Sequence, residues 1–232
     1  MKKLIIVTGG EGRFAKKLKE RNKNLYLKFF NKKELNILSS NSINKIFKKF
    51  KPKAVLHCAG LSRPMQIHES NINKSIDLNI IGTCNLVKAC SDSNIKLIYF
   101  STGYVYDSRK GNYKEIDPVK PFNNYGWSKL GGECAVKMYK NSLILRITMT
   151  EKPFAYQKAY SNVFANYMFH EDLIDILPKL INKFGVINVG GKARSVYEFG
   201  KIYKNKILKI KNIDKSFPSK QTMNLNLLNK IL

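Results

Sequence analysis

The sequence of 232 residues predicts an α/β fold in which helices cover both faces of a doubly wound parallel sheet, with a small C-terminal elaboration. Short apolar runs bounded by polar turns alternate with longer stretches of helical period, as expected for βαβ units. Hydrophobic residues make up 44% of the chain, which contains only 14 glycines and 7 prolines. This composition favours a packed core over disorder, and the length fits one large domain.

Six short apolar runs predict strands, and the segments between them predict helices. In the third helix, Ile76, Ile80, Cys84 and Val87 recur at the spacing of one buried face. The predicted strands are residues 4–7, 25–30, 54–57, 97–100, 143–148 and 186–189. The predicted helices are residues 14–21, 43–50, 76–90 and 125–139.

The C-terminal part of the chain predicts smaller elements. Ser195 followed by Glu198 fits a capping box, which begins a helix that runs to about residue 203. Residues 204–220 are basic and irregular, and residues 226–232 predict a short terminal helix. We find no internal repeat and no low-complexity linker that would mark a domain boundary.

The net charge is unusually positive, because 42 Lys and Arg residues face 16 Asp and Glu residues, giving +26. Such an excess suggests an anionic partner, either nucleic acid or a membrane surface. Lysine supplies 36 of the cations and arginine only 6, whereas nucleic-acid surfaces rely more on arginine. The chain also carries no recognised nucleic-acid motif. We therefore predict neither a nucleic-acid nor a membrane partner, and we attribute much of the lysine to AT-rich codons.

The cysteines predict reduced thiols and no metal site. They form no C-x-x-C pair and show no metal-ligand spacing with the three histidines. Met1-Lys2-Lys3 resembles the start of a signal peptide, but the apolar run at 4–7 is too short for secretion or a membrane span. We expect a cytoplasmic location. The cysteines are Cys58, Cys84, Cys90 and Cys134.

A glycine-rich turn follows the first predicted strand. It contains Gly9, Gly10 and Gly12, and it runs through Arg13 and Phe14 into the first helix. Glycines let the backbone approach a pyrophosphate closely, and the free N–H groups and dipole of the helix N-terminus favour the anion. The alternative is a structural turn that binds nothing.

A second motif pairs Tyr125 with Lys129, which lie one turn apart on one face of a helix. A nearby ammonium favours the phenolate and makes tyrosine a usable proton donor or acceptor near neutral pH. The chain has 12 tyrosines and 36 lysines, so this spacing also fits an ordinary surface pair.

The third motif is Ser101-Thr102-Gly103, directly after the predicted strand that ends at Phe100. It therefore falls at the carboxyl edge of the sheet, where ligands bind in open α/β folds. The Thr102 hydroxyl could bond the same substrate oxygen that Tyr125 protonates. A capped turn is the alternative interpretation.

In this order and at these intervals, the three motifs resemble those of the extended short-chain dehydrogenase/reductase superfamily, whose fold is Rossmann-like. Residues 57–60 match the cofactor loop N-A-A-G of that family, and Asn79 matches a position on its central helix. Segments 101–107, 124–130 and 145–146 look most like the dTDP-4-dehydrorhamnose reductase branch.

This resemblance implies NAD(P)H-dependent reduction of a 4-keto group on a nucleotide sugar in deoxysugar or polysaccharide biosynthesis. Tyr125 would be the general acid, Lys129 would lower its pKa and hold the nicotinamide ribose, and Thr102 would bond the keto oxygen. The cofactor-binding residues would be Gly9, Gly12, Arg13, Phe14, Asn31, Lys32, Asn36, Ile37, Cys58, Ala59, Gly60, Tyr125 and Lys129.

The resemblance also implies a division of the chain. Residues 1–150 would form the NAD(P)-binding Rossmann core. Residues 151–232 would form a small substrate-binding region, interleaved with the last sheet elements at residues 185–203.

The end of the second strand distinguishes between the two nicotinamide cofactors. An acid there bonds the adenosine ribose and favours NAD, whereas basic residues favour the 2′-phosphate of NADP. The strand is followed by Asn31, Lys32 and Lys33, and Arg13 lies in the glycine loop. We predict that NADP(H) is preferred and that NAD(H) is also accepted.

Three features depart from the family pattern or add to it. Gly103 stands where the reductases usually carry an acid, which predicts a weaker or rearranged proton-delivery network. Few residues separate Thr150 from His170, so the substrate site is either open or completed by a second subunit, as in a homodimer. His68 lies where related epimerase/reductases carry a cysteine proposed for proton transfer, and its imidazole could act at the sugar ring. A loop histidine without a catalytic role is the alternative.

Three further functions stay open at the level of the sequence. One is a combined 3,5-epimerase and 4-reductase, and another is a nucleotide-sugar 4-epimerase with tightly bound NAD. The third is a non-catalytic NADP-binding regulatory subunit, a role known in this branch for the partner of methionine adenosyltransferase.

Overall fold

The computed structural model describes residues 3–214 and 217–232. Its strands are β1 (Ile5–Thr8), β2 (Leu27–Phe30), β3 (Ala54–His57), β4 (Lys96–Thr102), β5 (Ser142–Ile147), β6 (Met149–Thr150), β7 (Lys158–Tyr160), β8 (Phe164–Ala165), β9 (Met168–Phe169), β10 (Gly185–Val189), β11 (Arg194–Ser195), β12 (Leu208–Ile210) and β13 (Lys220–Gln221). Its helices are α1 (Arg13–Arg21), α2 (Ser40–Phe50), α3 (Ile67–Ser70), α4 (Ile72–Ile76), α5 (Gly82–Asp92), α6 (Asn124–Met138), α7 (His170–Leu180), α8 (Val196–Lys201) and α9 (Asn226–Ile231).

The central sheet has six parallel strands in the order β10-β5-β4-β3-β1-β2. Each of the six predicted strands coincides with one of these, so the predicted Rossmann-like α/β class is confirmed. Strand order reverses at β1, which pairs with β2 on one side and β3 on the other. The carboxyl edge beside this reversal is where open α/β sheets bind ligands.

Two hydrophobic cores lie on opposite faces of the sheet because successive strand side chains alternate in direction. On one face, Ile5 and Val7 pack with residues of α1 and α7, including Leu18. On the other face, Ile6 packs with residues of α2, α5 and α6, including Ile43. Helices on both faces make the sheet doubly wound.

Two predicted helices differ from the observed ones. The helix α2 begins at Ser40 instead of residue 43, because Ser39 caps it by accepting a hydrogen bond from the Ser42 N–H. The predicted helix at 76–90 is in fact α4, a π-helical turn at Asp77–Ile81 and α5. Apolar periodicity does not reveal the change in hydrogen bonding that makes a π turn.

The C-terminal part combines predicted and unpredicted elements. The capping box of Ser195 and Glu198 is present at the start of α8, which ends at Lys201. The prediction that residues 204–220 are irregular is wrong in part, because β12 pairs with β7 and β13 pairs with β8. Such strands of two or three residues are too short to show a period. Residues 215 and 216 of this segment, like Met1 and Lys2, lie outside the described residues.

The helix α7 was not identified from the sequence, although four of its buried residues lie at helical spacing. They are Leu173, Ile174, Leu177 and Leu180. In the part of the chain that the structure describes, no helix combines the length and the apolar character needed to cross a bilayer.

Candidate active site

A cavity of about 710 Å³ opens at the carboxyl edge of the sheet, beside the reversal of strand order. The loops that follow β1, β3 and β4 contribute to its wall, as does the first turn of α6. The loop after β6 and the small strand β7 close another side. The cavity therefore lies between the sheet and the C-terminal elements.

The glycine turn after β1 packs directly against the loop after β3. Gly9 has a φ of +65°, and a Cβ there would lie 2.7 Å from the Ala59 backbone. Gly12 is the N-cap residue of α1, whose first turn carries neither a side-chain cap nor an acidic residue. The free N–H groups at this helix end suit an anion. The turn fits the pyrophosphate of a dinucleotide such as the one that the family resemblance implies.

His57 joins the two loops through buried hydrogen bonds. The Ala59 N–H donates to Thr8 Oγ1, which lies 2.9 Å from His57 Nδ1. His57 Nε2 lies 3.1 Å from Thr83 Oγ1, whose own proton goes to the Asn79 carbonyl. Burial lowers the pKa of His57 to about 3, and the charge of Lys129 adds to the effect. A neutral imidazole with its proton on Nε2 satisfies all of these bonds.

Asn79 connects the loop after β3 to the helix that carries Tyr125. Its side-chain oxygen accepts from the Leu61 N–H at 2.7 Å, and its amide donates to the Leu61 carbonyl and to Ser128 Oγ. Asn79 lies in the π-helical turn, and such turns are frequent at functional sites. The cavity wall and α6 are thus held in one network.

Tyr125 lies in the first turn of α6, and its side chain lines the cavity together with Thr102. Burial and, to a smaller extent, the neighbouring Tyr104 raise the pKa of Tyr125 to about 12. A hydrogen bond with Thr102 and the positive charges of nearby arginines oppose this shift. The phenol is therefore protonated at neutral pH and can donate a proton to an acceptor in the cavity.

Lys129 lines the cavity one turn after Tyr125. Burial lowers its pKa to about 7, although the carboxylate of Glu133 favours the charged form. Its Nζ lies 4.1 Å from the ring centroid of Tyr99, a cation–π contact. We expected Lys129 to lower the pKa of Tyr125, but the main groups that lower it are Thr102, Arg63 and Arg13.

The structure brings most of the predicted site residues to one cavity. Those that line it are Gly12, Arg13, Phe14, Cys58, Ala59, Gly60, Thr102, Tyr125 and Lys129. Five predicted cofactor residues lie outside the wall. They are Gly9, Asn31, Lys32, Asn36 and Ile37.

Local contacts explain the positions of these five residues. Gly9 lies beneath the cavity against Ala59. The side-chain oxygens of Asn31 and Asn36 accept hydrogen bonds from backbone N–H groups two residues on, and Lys32 is exposed. Ile37 is buried in the core, where it packs against Gly82.

Gly103 is buried and is not one of the residues that line the cavity. A Cβ at this position would lie 3.0 Å from Thr148 Oγ1 and 3.3 Å from Met223 Sδ. A side chain at Gly103 would point towards Met223 and towards Thr148, which lines the cavity, and the weaker or rearranged proton-delivery network stays a prediction.

His68 is completely buried and is not part of the cavity wall. Its Nδ1 lies 2.7 Å from Ser75 Oγ. The hypothesis that its imidazole exchanges protons directly with a sugar ring is therefore not supported by its position.

Several residues of the wall were missed from the sequence. Arg63 lies in the segment that follows β3. This position near the predicted cofactor loop was the only sequence signal that could have identified it. Glu151 reaches the cavity because β6 pairs with β9, a contact without a local sequence signal. A group of six further aromatic residues completes the wall, and none of its members was predicted as a site residue. It comprises Tyr104, Phe154, Tyr156, Tyr160, Tyr167 and Phe217.

Comparison with known families matches residues 1–173 to the RmlD substrate binding domain. The chain belongs to this family. The RmlD match covers the whole parallel sheet except β10, together with the glycine turn and the Tyr125–Lys129 pair.

Among curated proteins, this RmlD family member is 37% identical over 103 residues to methionine adenosyltransferase 2 subunit beta of Bos taurus. That match covers 44% of this chain and 30% of the bovine protein. The chain is also 31% identical over 154 residues to dTDP-4-dehydrorhamnose reductase of Aggregatibacter actinomycetemcomitans, covering 63% and 51% of the two chains. The RmlD member thus spans about half or less of the curated relatives that it matches.

Solved structures share the fold of the RmlD member over nearly its full length. The dTDP-4-dehydrorhamnose reductase of Bacillus anthracis in complex with NADP matches with a TM-score of 0.87 and 24% identity, covering 99% and 92% of the two chains. The Bordetella bronchiseptica enzyme WbmG in complex with NAD matches with a TM-score of 0.79 and 19% identity, covering 99% and 87%.

Proposed function

We propose that the protein is an NAD(P)H-dependent reductase of a 4-keto nucleotide sugar, similar to dTDP-4-dehydrorhamnose reductase, in deoxysugar or polysaccharide biosynthesis. One observation carries the proposal. Thr102, Tyr125 and Lys129 line the same cavity as Gly12 and Arg13 at the uncapped N-terminus of α1. A proton donor is thereby placed beside a site that suits a dinucleotide.

The bound cofactor would supply the hydride to the carbonyl carbon. Tyr125 would donate the phenolic proton to the carbonyl oxygen, and its raised pKa keeps that proton in place until negative charge develops on the oxygen. Thr102 would donate a hydrogen bond to the same oxygen. Lys129 would hold the nicotinamide ribose, while Cys58, Ala59 and Gly60 would line the cofactor near its ribose.

NADP(H) is the proposed cofactor, with NAD(H) as an accepted substitute. Arg13 lies in the glycine turn and Lys32 follows β2, and basic residues at these two positions would favour the adenosine 2′-phosphate of NADP. Of the similar structures, that from Bacillus anthracis was solved with NADP and that of WbmG with NAD. Calorimetric titration should show tighter binding of NADPH, and tighter binding of NADH would contradict the preference.

The larger organisation is also part of the proposal. Residues 1–150 would form the cofactor-binding core, and residues 151–232 would form a small substrate-binding region interleaved with the sheet at residues 185–203. A homodimer is proposed because α4, the π turn and α6 expose large apolar side chains. They are Ile72, Ile76, Ile81, Trp127 and Met138. The four free cysteines agree with the proposed cytoplasmic location.

A non-catalytic regulatory subunit is the second candidate. The 37% identity to methionine adenosyltransferase 2 subunit beta favours it. The two functions differ in one assay, because a regulatory subunit would bind the cofactor without consuming it.

The deciding experiment measures NADPH oxidation with dTDP-, UDP- and GDP-linked 4-keto-6-deoxy sugars. A reductase consumes NADPH in proportion to the alcohol formed, and Tyr125→Phe should lower kcat by about 100-fold or more while NADPH still binds. Binding of NADPH without oxidation by any of these sugars would favour the regulatory role. Sugar epimerisation without net NADPH consumption would indicate a 4-epimerase.

A further inference from the structure

Two arginines converge on one carboxylate in the cavity wall. Arg13 Nε lies 3.3 Å from Glu151 Oε1, and Arg63 Nη1 lies 3.2 Å from Glu151 Oε2. Arg13 also donates a hydrogen bond of 3.4 Å to Ser62 Oγ. Guanidinium groups are well suited to carboxylates and phosphates because their N–H groups form a planar fork. The cluster therefore marks a place where the cavity can hold an anion.

The three charged side chains are accessible to solvent. They are 46%, 33% and 31% exposed for Arg13, Arg63 and Glu151, respectively. Ion pairs with this exposure are weak, because water competes for both partners and ordering the side chains costs entropy. A phosphate group that enters the cavity can therefore replace Glu151 as the partner of either arginine.

The two arginines lie on different elements. Arg13 begins α1 at the glycine turn, the end of the cavity that suits the cofactor. Arg63 lies after β3, with its guanidinium carbon 5.8 Å from the ring centroid of Tyr156. The charge of Arg63 also lowers the pKa of Tyr104 and Tyr125. Arg63 therefore lies against the aromatic wall at Tyr156, while the charges of both arginines reach Tyr125.

The wall near Arg63 is aromatic and carries another cation. Phe154 and Tyr156 pack with ring centroids 5.4 Å apart, and Tyr160 and Phe217 pack at 6.2 Å. Lys158 also lines the cavity. Aromatic faces stack with nucleobases, and Arg and Lys bind phosphates. Together these groups suit a nucleoside diphosphate better than an uncharged sugar.

We propose that Arg63 binds the diphosphate of the nucleotide-sugar substrate and that Glu151 competes with this diphosphate for Arg63. The proposal rests on the proposed function, since it takes a nucleotide sugar to be the substrate. Glu151 then sets how tightly the substrate binds and how strongly salt affects binding. Arg63 fixes the position of the diphosphate, and through it the distance of the sugar from Tyr125.

Titration calorimetry of UDP and dTDP into the NADPH-saturated protein tests this proposal. Arg63→Gln should weaken nucleoside diphosphate binding by about tenfold or more, with the NADPH Kd changing by less than about twofold. Glu151→Gln should tighten nucleoside diphosphate binding by about threefold or more at low salt, and the gain should shrink as salt screens the charges.

Two variants match these charge changes away from the cavity. Arg109→Gln removes an arginine that pairs with Asp107, and Asp175→Asn removes an acid that pairs with Arg21. Both should leave nucleoside diphosphate binding within about twofold of the unmodified protein. Their thermal unfolding and that of the Arg63 and Glu151 variants should confirm that all four remain folded.

Several results would overturn the proposal. Unchanged nucleoside diphosphate binding by Arg63→Gln would do so, as would an equal loss of NADPH and nucleoside diphosphate binding, which would assign Arg63 to the cofactor. Weaker binding by Glu151→Gln would show that the carboxylate supports the ligand. Absence of nucleoside diphosphate binding to the unmodified protein would also contradict it.

Turnover separates this proposal from the proposed function. If Arg63→Gln reduces a 4-keto nucleotide sugar with an unchanged KM, the reductase function stands and the role of Arg63 is wrong. If no such sugar is reduced but UDP or dTDP binds in an Arg63-dependent manner, the diphosphate site stands and the reductase function is wrong.

Discussion

The imidazole of His68 lies against the phenol ring of Tyr125, with ring centroids 5.0 Å apart and planes inclined at 58°. His68 belongs to α3, which also contacts the first residue of α6. In that contact, Glu69 accepts hydrogen bonds from the backbone and side-chain amides of Asn124. Tyr125 is therefore positioned both by its own helix and by α3, a segment that the sequence did not identify as a helix.

His68 should make the protein less stable to unfolding at acidic pH. Burial lowers its pKa from the usual 6.5, so the unfolded chain binds the proton more readily than the folded protein. The stability that depends on neutral His68 is present above pH 6.5 and is lost as the pH falls towards the folded-state pKa. Relative to His68→Gln, the unmodified protein should lose at most about 1.4 kcal/mol of unfolding free energy per pH unit.

Urea unfolding between about pH 7.5 and pH 5 checks this expectation. Burial also lowers the pKa of His57 and His170, so only the difference between the unmodified protein and His68→Gln isolates His68. A pH-independent difference would show that His68 does not contribute.

Local sequence signals were sufficient for the main sheet. Strands such as β1 and β3 are short, fully buried apolar runs between polar turns, so composition alone marks them. The Tyr125–Lys129 pair could be placed on one helix face because its spacing is one turn. The glycine turn could be recognised because only its position after a strand and before a helix matters.

Contacts between distant segments could not be predicted in the same way. Arg63 and Glu151 are 88 positions apart in the chain, and no local sequence pattern predicts their contact. Ile37 was predicted to bind the cofactor, but tertiary packing places it in the core against Gly82. The pKa of Tyr125 depends mainly on burial, which also becomes known only from the folded structure.

Restoring an acid at position 103 should not improve catalysis. A Cβ there approaches Thr148 Oγ1 and Met223 Sδ, so Gly103→Asp would crowd the interior with a charged group. We expect a loss of about 1–3 kcal/mol in unfolding free energy and no rise in kcat for NADPH oxidation. Urea unfolding and the reductase assay measure the two effects.

The Met223 contact provides the control for Gly103→Asp. In a Met223→Ala background more space is available. Gly103→Asp should therefore lower the unfolding free energy by less there than in the unmodified protein. An equal loss of unfolding free energy in both backgrounds would show that the new aspartate side chain does not contact Met223. A higher kcat in Gly103→Asp would show that the acid reaches the reacting groups after all.

The ion pair of Glu133 and Arg146 should be essential for stability. Their side chains are 2% and 3% exposed, and Arg146 Nη2 lies 2.5 Å from Glu133 Oε1. Ser101 donates to Glu133, while Arg146 also donates to Tyr106. Arg146→Met leaves the Glu133 carboxylate buried without its cation, which should cost about 3–5 kcal/mol of unfolding free energy.

A surface ion pair provides the comparison. Asp175→Asn breaks the exposed pair with Arg21, and it should cost less than about 1 kcal/mol. Urea unfolding of both variants at the same pH measures the contrast. A cost for Arg146→Met as small as that for Asp175→Asn would show that water or another cation replaces Arg146 in the interior.

Lys129 should make the protein more stable as the pH rises above neutral. Burial lowers its pKa from 10.5 to about 7, so between these values the unfolded chain holds a proton that the folded protein releases. The unfolding free energy should therefore rise with pH in this range, by at most about 1.4 kcal/mol per pH unit. Lys129→Met removes the titrating group while keeping most of the apolar stem. The unfolding free energy of the unmodified protein should therefore rise relative to that of Lys129→Met between about pH 7 and pH 9.5.

Urea unfolding of both proteins measures this difference, and Lys137→Met on the exposed face of α6 corrects for the loss of one positive charge. A gap that is constant across this range would mean that the Lys129 ammonium keeps its proton inside the cavity wall.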